Sequence, residues 1–393
     1  MAEAQFFDFF LWGLFILLLV VTIGMCVQYT NTHLIEGFGM DCIDFIPYKR
    51  YRNYPIIPNT IFVSVASYRD TECNMTLDTL FNNADKPSRI FVGICEQNKT
   101  GAVEELCMGP SVLKYSRNIR VTKLDYTKAK GPTYARYYCA DLWRGEEYFL
   151  QIDSHTTFVK GWDTELIQMI KQIKTNPLES QKPVLSVYPP TKEQMNIGGF
   201  PEMDNGNLTQ DNIPSFLCGW SDDSPVPKRS NKPWAAAGFM FLEAKFLYEV
   251  PFDPNLSHLF QLEETLFSAR LWTTGWDFYT PNKKVCYHHY NRTKASLYHK
   301  DIPKSSGCRV EAEKRGLFLL GLLPKKSVAD DFLRNYNYYG LGKFRAINDF
   351  WMASGIDFTT KTIERWNDKT PESVKFKGWN FRRSGYEKIK KCE

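Results

Sequence analysis

The stretch Tyr148-Phe-Leu-Gln-Ile-Asp153-Ser-His155-Thr-Thr-Phe158, closed by Gly161-Trp162-Asp163, decides how this chain is organised. An apolar run of strand length ends in a carboxylate and an imidazole separated by one residue. In an extended chain, side chains at i and i+2 point to the same side. Asp153 and His155 therefore converge at a strand end, where α/β sheets place their ligands. Such a pair can hold a divalent cation against a diphosphate. Alone, Asp-Ser-His is more often a strand-terminal Asx-turn beside a surface histidine. The flanking segments tip the balance.

Upstream, Thr60-Ile-Phe-Val-Ser-Val-Ala-Ser67 is nearly continuous in apolar character, as in a sheet buried on both faces. Thr76 to Asn83 reads as a short helix. Arg89 to Cys95 and Ile119 to Leu124 read as further strands. Gly131-Pro132 opens a helix reaching to about Trp143, with proline near the start as helices prefer. Glu147 to Ile152 is the strand that delivers Asp153. Alternating strands and helices predict a mixed, mostly parallel sheet with right-handed crossovers, a nucleotide-binding architecture. Downstream, Pro183 to Tyr188 and Ala235 to Phe241 read as strands and Glu263 to Trp272 as a helix. Val285 to Tyr290 resembles a strand end. Residues 191–233 are rich in Gly, Asn, Asp and Pro and read as a long loop region.

The chain has 393 residues, enough for a large core, with a net charge of +5 whose basic excess lies after residue 300. That basic, aromatic-rich end carries no nucleic-acid motif, so a solvated charged face is expected and no nucleic-acid partner. Phe9 to Val27 contains no charged residue, and about 20 apolar residues span a bilayer. The start lacks the basic residues of a cleaved signal peptide, so a retained single-pass anchor is expected. Lys49, Arg50 and Arg52 lie at the limit of the positive-inside rule and, taken literally, place the catalytic part in the cytosol. Asn-X-Ser/Thr sites at Asn74, Asn98, Asn207, Asn255 and Asn291 favour a lumenal ER or Golgi face, which we take as the expectation. The 10 cysteines form no zinc signature. The expected division is anchor and stem over 1–58, a catalytic domain over 59–300 and a C-terminal extension over 301–393.

Four further constellations can carry chemistry. Ser67-Tyr-Arg69-Asp70 follows the first strand. Arg69 can pair with phosphate and Asp70 with a ribose or uracil group, or Asp70 can simply cap the next helix. Gly131 to Arg136 offers a helix N-terminus to a diphosphate, with Arg136 one turn in; an ordinary helix start fits equally. His288-His289 is a candidate third metal ligand. Adjacent residues on a strand point to opposite faces, so at most one should reach the cation. Glu263-Glu264 either complements the dipole of its helix or faces a sugar or its acceptor.

Phe62-Val-Ser-Val-Ala-Ser-Tyr-Arg-Asp70, Gly131-Pro-Thr-Tyr-Ala-Arg136, Gln151-Ile-Asp-Ser-His155, Trp162-Asp163 and Val250-Pro-Phe-Asp253 resemble segments of the polypeptide N-acetylglucosaminyltransferases that modify hydroxyproline or threonine. So do Glu263-Glu264, Arg270-Leu-Trp-Thr273 and Tyr287-His-His-Tyr290, and the likeness covers about residues 60–295 in order. The resemblance implies a GT-A fold, a UDP-GlcNAc donor, Mn²⁺ (or Mg²⁺), a polypeptide or glycan acceptor and retention of anomeric configuration. It implies Asp153 and His155 as metal and donor ligands and His288 or His289 as the third. Ser67, Arg69, Asp70 and Arg136 would fall at the nucleotide, and Glu263 and Glu264 at the sugar and acceptor. Leu262 departs from the pattern, standing where a glycine is expected, and a bulky side chain there would reshape the sugar pocket. Competing classes are a hexosyltransferase acting on glycan or lipid, and a transferase-like module that binds sugar or peptide without turnover. A metal-dependent hydrolase needs more clustered ligands than 6 scattered histidines provide.

Overall fold

The computed structural model describes residues 54–209, 213–293, 295–301, 307–367 and 370–375. They fall within one compact unit, Pro47–Glu393. The expected span at Phe9 to Val27 lies outside the described residues. Among the described residues no helix is long and apolar enough to cross a membrane.

The core is an eight-stranded sheet. Its strands are β1 (Ile57–Tyr68), β2 (Ile90–Asn98), β3 (Ile119–Asp125), β4 (Glu146–Asp153), β6 (Pro183–Ser186), β9 (Lys228–Arg229), β10 (Phe239–Glu243) and β11 (Asp277–Thr280). Their order is β3-β2-β1-β4-β10-β6-β11-β9. β1 pairs in parallel with β2 and β4, and β2 with β3, whereas β10 runs antiparallel to both β4 and β6. Ile61, Val63 and Val65 of β1 are fully buried on one face, and Phe62 is buried on the other. That two-sided burial explains the unbroken apolar run.

Helix α1 (Cys73–Asn82) follows β1, and α2 (Pro132–Ala140) leads into β4. The chain runs outward from β1 to β3 and returns on β1's other side as β4. The carboxyl ends of β1 and β4 thus flank a topological switch point, where open α/β sheets bind ligands. Register seals the placement: Ala66 pairs with Asp153, so Asp70 and Asp153 emerge at one sheet edge. A small antiparallel pair, β5 (Thr156–Phe158) with β12 (Cys286–His288), sets His288 opposite Thr156. It brings a distant histidine beside His155, reinforced by the His289 N–H donating to the His155 carbonyl at 3.2 Å. Helix α3 (Trp162–Thr175) begins with Asp163 buried and accepting from the backbone of Asp85 and Lys86 and from Arg89. That pair of residues serves packing.

Residues 191–233 differ from the expected long loop. They contain a hairpin of β7 (Phe200–Leu208) and β8 (Pro214–Ser221), with a register shift between Met203 and Gly206. Met203 and Pro214 are buried, so a few anchors hold a polar ribbon in place. After α4 (Phe246–Glu249), α5 (Glu263–Thr273) carries the glutamate pair. The segment beyond residue 300 packs on α5 through α7 (Gly307–Leu319) and α8 (Ile347–Ser354), preceded by the short α6 (Tyr298–Asp301). Arg315 of α7 is fully buried and pairs with the carboxylate of Asp253 at 2.8 Å. Phe350 of α8 lies 5.9 Å from Trp272 between ring centroids.

Candidate active site

A cleft of about 670 Å³ opens at the carboxyl ends of β1 and β4. Its walls include Asp70, Arg136, Asp153, His155, Glu263, Glu264, His288 and the runs His289 to Thr293 and Ser296 to Lys300.

Asp153, His155 and His288 each present a ligand atom within 4.8 Å of one another. The Nε2 of His288 lies 3.2 Å from Asp153 Oδ2, and the two imidazole rings are 4.6 Å apart. His289 points the other way, as strand alternation requires. Its Nδ1 meets Glu72 at 2.5 Å and its Nε2 meets the Thr157 hydroxyl. Gly238 closes over Asp153, and a Cβ there would stand 2.9 Å from Asp153 Oδ2. Burial pushes the Asp153 carboxyl up, but the His288 hydrogen bond and the charges of Arg136, His155 and His288 outweigh it. The group is held ionised, well below the usual carboxylate range.

Asp70 is buried, and its two oxygens are fully occupied. Oδ2 accepts from the Ser154 hydroxyl at 2.5 Å and faces His155 Nδ1 at 2.8 Å. Oδ1 accepts from the Glu72 N–H at 3.0 Å and pairs with Arg292 at 2.8 Å. Burial alone would raise its carboxyl, yet His155, Arg292 and Ser154 hold it below its ordinary value. An ionised carboxylate only accepts, so His155 carries a proton on Nδ1, which leaves Nε2, 3.5 Å from Arg292 Nη1, as its one nitrogen able to ligate when neutral. Asp70 thus orients a histidine, and of its two sequence readings, ribose or uracil contact and helix cap, its bond from the Glu72 N–H just before α1 is nearer the second.

Three other candidate nucleotide residues already have protein partners or lie behind the wall. Arg69 sits at φ +47°, its guanidinium turned to Glu105 at 3.1 Å and Asp301 at 3.0 Å, away from the cleft wall. Ser67 is fully buried behind that wall. Arg136 does line the cleft, but it bridges the Glu263 carboxylate and Asp153, the latter at 3.3 Å, instead of standing free for a phosphate. Gly131, at φ +90°, begins α2 at the cleft edge.

The two glutamates have different surroundings. Burial raises Glu263, and the Arg136 charge beside it offsets only part of that rise. Burial pushes the Glu264 carboxyl up to about 7. Its oxygens accept from the Tyr188 hydroxyl at 2.6 and 2.5 Å, and from the Ala237 N–H at 2.8 Å. Leu262, expected to crowd the sugar pocket, is fully buried away from the cleft. Its side chain fills the space over Gly316 of α7, where a Cβ would come within 2.6 Å of it.

Sequence reasoning missed Arg292 and Tyr188. Arg292 stands four residues beyond His288, and its Nη1 lies 3.5 Å from His155 Nε2. The signal was present as an arginine just past the carboxyl end of β12, but Asn291-Arg-Thr was read only as a glycosylation site. Asn255, another of those sites, is buried with its amide donating to Asp253, so it cannot carry a glycan there. Cys73 at the start of α1 is disulfide-bonded to Cys107.

A family model described as Glycosyltransferase (GlcNAc) matches residues 60–114 and 104–360. No curated protein matches the sequence. Among solved structures, the chain is similar to GalNAc-T7 with UDP, GalNAc and Mn²⁺, at 15% identity and TM-score 0.49, covering 66% of this chain and 48% of that one. It is similar too to the mannosyltransferase PcManGT from Pyrobaculum calidifontis in complex with GDP-Man and Mn²⁺, at 12% identity and TM-score 0.35, with 62% of each chain covered. The chain thus spans about half the length of the first of these.

Proposed function

Because the chain belongs to the Glycosyltransferase (GlcNAc) family and is therefore a glycosyltransferase, we propose that it is a GT-A-type, metal-dependent, retaining enzyme. In this reading it moves GlcNAc from UDP-GlcNAc to a hydroxyl of a polypeptide, on hydroxyproline, threonine or serine. The observation that carries the reading is the convergence of Asp153, His155 and His288 at the switch point of the sheet.

One carboxylate and two imidazoles, with a wide cleft beside them, fit Mn²⁺ or Mg²⁺, whose shells are completed by water and phosphate oxygens. When bound, the ion supplies positive charge to offset the negative charge developing on a departing diphosphate. Asp153, His155 and His288 would hold it, and Asp70, by accepting from His155 Nδ1, would leave Nε2 as that residue's ligand atom. Arg292 adds fixed positive charge on the same wall. Glu263 is tied to Arg136, whereas Glu264, with a carboxyl near 7, is the group able to accept or share a proton with a sugar or acceptor hydroxyl.

We further propose a lumenal ER or Golgi location behind the expected N-terminal anchor. The disulfide between Cys73 and Cys107 supports an oxidising compartment.

The test is UDP release from a panel of UDP-sugars, with Mn²⁺ or EDTA, for the wild type and Asp153→Asn. Turnover should follow one sugar, vanish with EDTA and fall at least ~10²-fold in the variant, the scale of losing a key electrostatic group. Near-normal activity in Asp153→Asn would sink the assignment.

A further inference from the structure

We propose that the acceptor polypeptide docks as an added β-strand on the outer edge of β8, which delivers its hydroxyl to the cleft. This deepens the reading above and rests on it.

The orientation of that edge follows from the hairpin's bonding. The Thr209 N–H donates to the Ile213 carbonyl at 2.9 Å, which fixes 209 and 213 as a hydrogen-bonded pair. Antiparallel pairs alternate between bonded and non-bonded types. With Leu208 opposite Pro214, Asn207 opposite Ser215 and Gly206 opposite Phe216, the groups of Pro214 and Phe216 face away from β7. Pro214 verifies this, since its carbonyl accepts from Thr265 of α5 at 2.7 Å, on the side away from β7. The outer edge of β8 therefore runs from the glutamate-bearing helix outward. Among the described residues no hydrogen bond reaches the Phe216 N–H or carbonyl on that edge.

Position makes this more than a solvated edge. The Phe216 ring lies 5.9 Å from that of Tyr188, whose hydroxyl is bonded to Glu264 in the cleft. An added strand lies about 4.8 Å from its neighbour. One placed beside Phe216 would run along the Tyr188–Glu264 wall. Main-chain bonds give such a strand affinity without demanding a sequence, while alternate side chains enter pockets. The exposed Phe260 and Tyr290 at the cleft mouth offer apolar surface to those side chains.

The experiment uses the full-length enzyme. Acceptor peptides containing threonine or hydroxyproline are selected from a random library by transfer of labelled sugar. The best one is then N-methylated one residue at a time around the reacting position. Methylation removes one donor and adds bulk at the edge, so kcat/KM should fall about tenfold or more at every second residue and little between them. Metal-dependent hydrolysis of the donor without acceptor is measured in parallel. If hydrolysis persists and sensitivity is absent or does not alternate, strand addition is wrong. If hydrolysis persists and no peptide accepts sugar, the acceptor is not a polypeptide and the inference falls. If neither donor hydrolysis nor transfer to any peptide is seen, the transferase site as read above has failed and the inference falls with it.

Discussion

Replacing Asp70 by asparagine asks whether a carboxylate one shell out sets the ligand character of His155. Asp70 meets four donors: Ser154 and His155 at Oδ2, and the Glu72 N–H and Arg292 at Oδ1. An asparagine amide must turn its NH₂ to one of these pairs. Turned to the second pair, it faces a backbone N–H and a guanidinium, neither of which can accept. Turned to the first, it faces a hydroxyl that can accept and an imidazole that can accept by moving its proton. The second rearrangement shifts the His155 proton from Nδ1 to Nε2, where it faces only the long 3.5 Å contact from Arg292 Nη1, so it is the less costly of the two. That removes the lone pair with which His155 would ligate a cation. Losing such an outer partner of a ligating histidine lowers metal affinity by about 10–100-fold, or ~1.4–2.8 kcal/mol at 1.4 per decade. The assay is donor hydrolysis against Mn²⁺ concentration. Half-saturation should rise by that factor in Asp70→Asn, with activity recovered at high Mn²⁺. An unchanged half-saturation point would refute the role assigned to Asp70.

Arg315→Ala strips buried Asp253 of its ion-pair partner, a loss of about 3–5 kcal/mol that denaturant unfolding should report. A loss below ~1 kcal/mol would mean the segment beyond residue 300 is not held by that pair. Leu262→Ala should cost about 2–5 kcal/mol by opening a cavity against Gly316, while leaving the preferred donor sugar unchanged. A switch of donor would instead restore Leu262 to the sugar pocket. Glu264→Gln tests the pH dependence of stability. A carboxyl raised from 4.5 to about 7 in the folded protein contributes stability that is complete below 4.5 and lost as pH rises through 7. The wild type should therefore weaken across that window relative to the variant, in urea titrations at pH 5 and 8. Parallel curves would show that Glu264 titrates normally.

What the sequence revealed, and what it hid, follows from the range of each interaction. The unbroken apolar runs of β1, β2 and β4 reflect burial on both faces, a local pattern, and they were readable. The nearness of Asp153 and His155 at a strand end was readable too, although His155 sits in the bend between β4 and β5 and not on the strand itself. Strand alternation also limited the histidine pair to one ligand, but the choice of His288 needed β12 set against β5, a pairing across more than a hundred residues. The partners of Arg69 were hidden for the same reason. Asp301 lies 232 positions away and Glu105 sits beyond β2, so nothing local distinguishes a phosphate-binding arginine from one already paired. The β7–β8 hairpin was unreadable on different grounds. Glu202, Asp204, Asn205 and Asn207 give it the composition of a loop, and its order comes from Met203, Pro214 and Phe216 packing against elements elsewhere in the chain. Leu262 makes the converse point. A bulky residue in place of glycine looks like a change in the sugar pocket, until Gly316 is found giving up its own Cβ to accommodate it. A departure from a family pattern at one position is thus interpretable only with its packing partner in view, and here that partner lies in the segment least like anything recognised in the sequence.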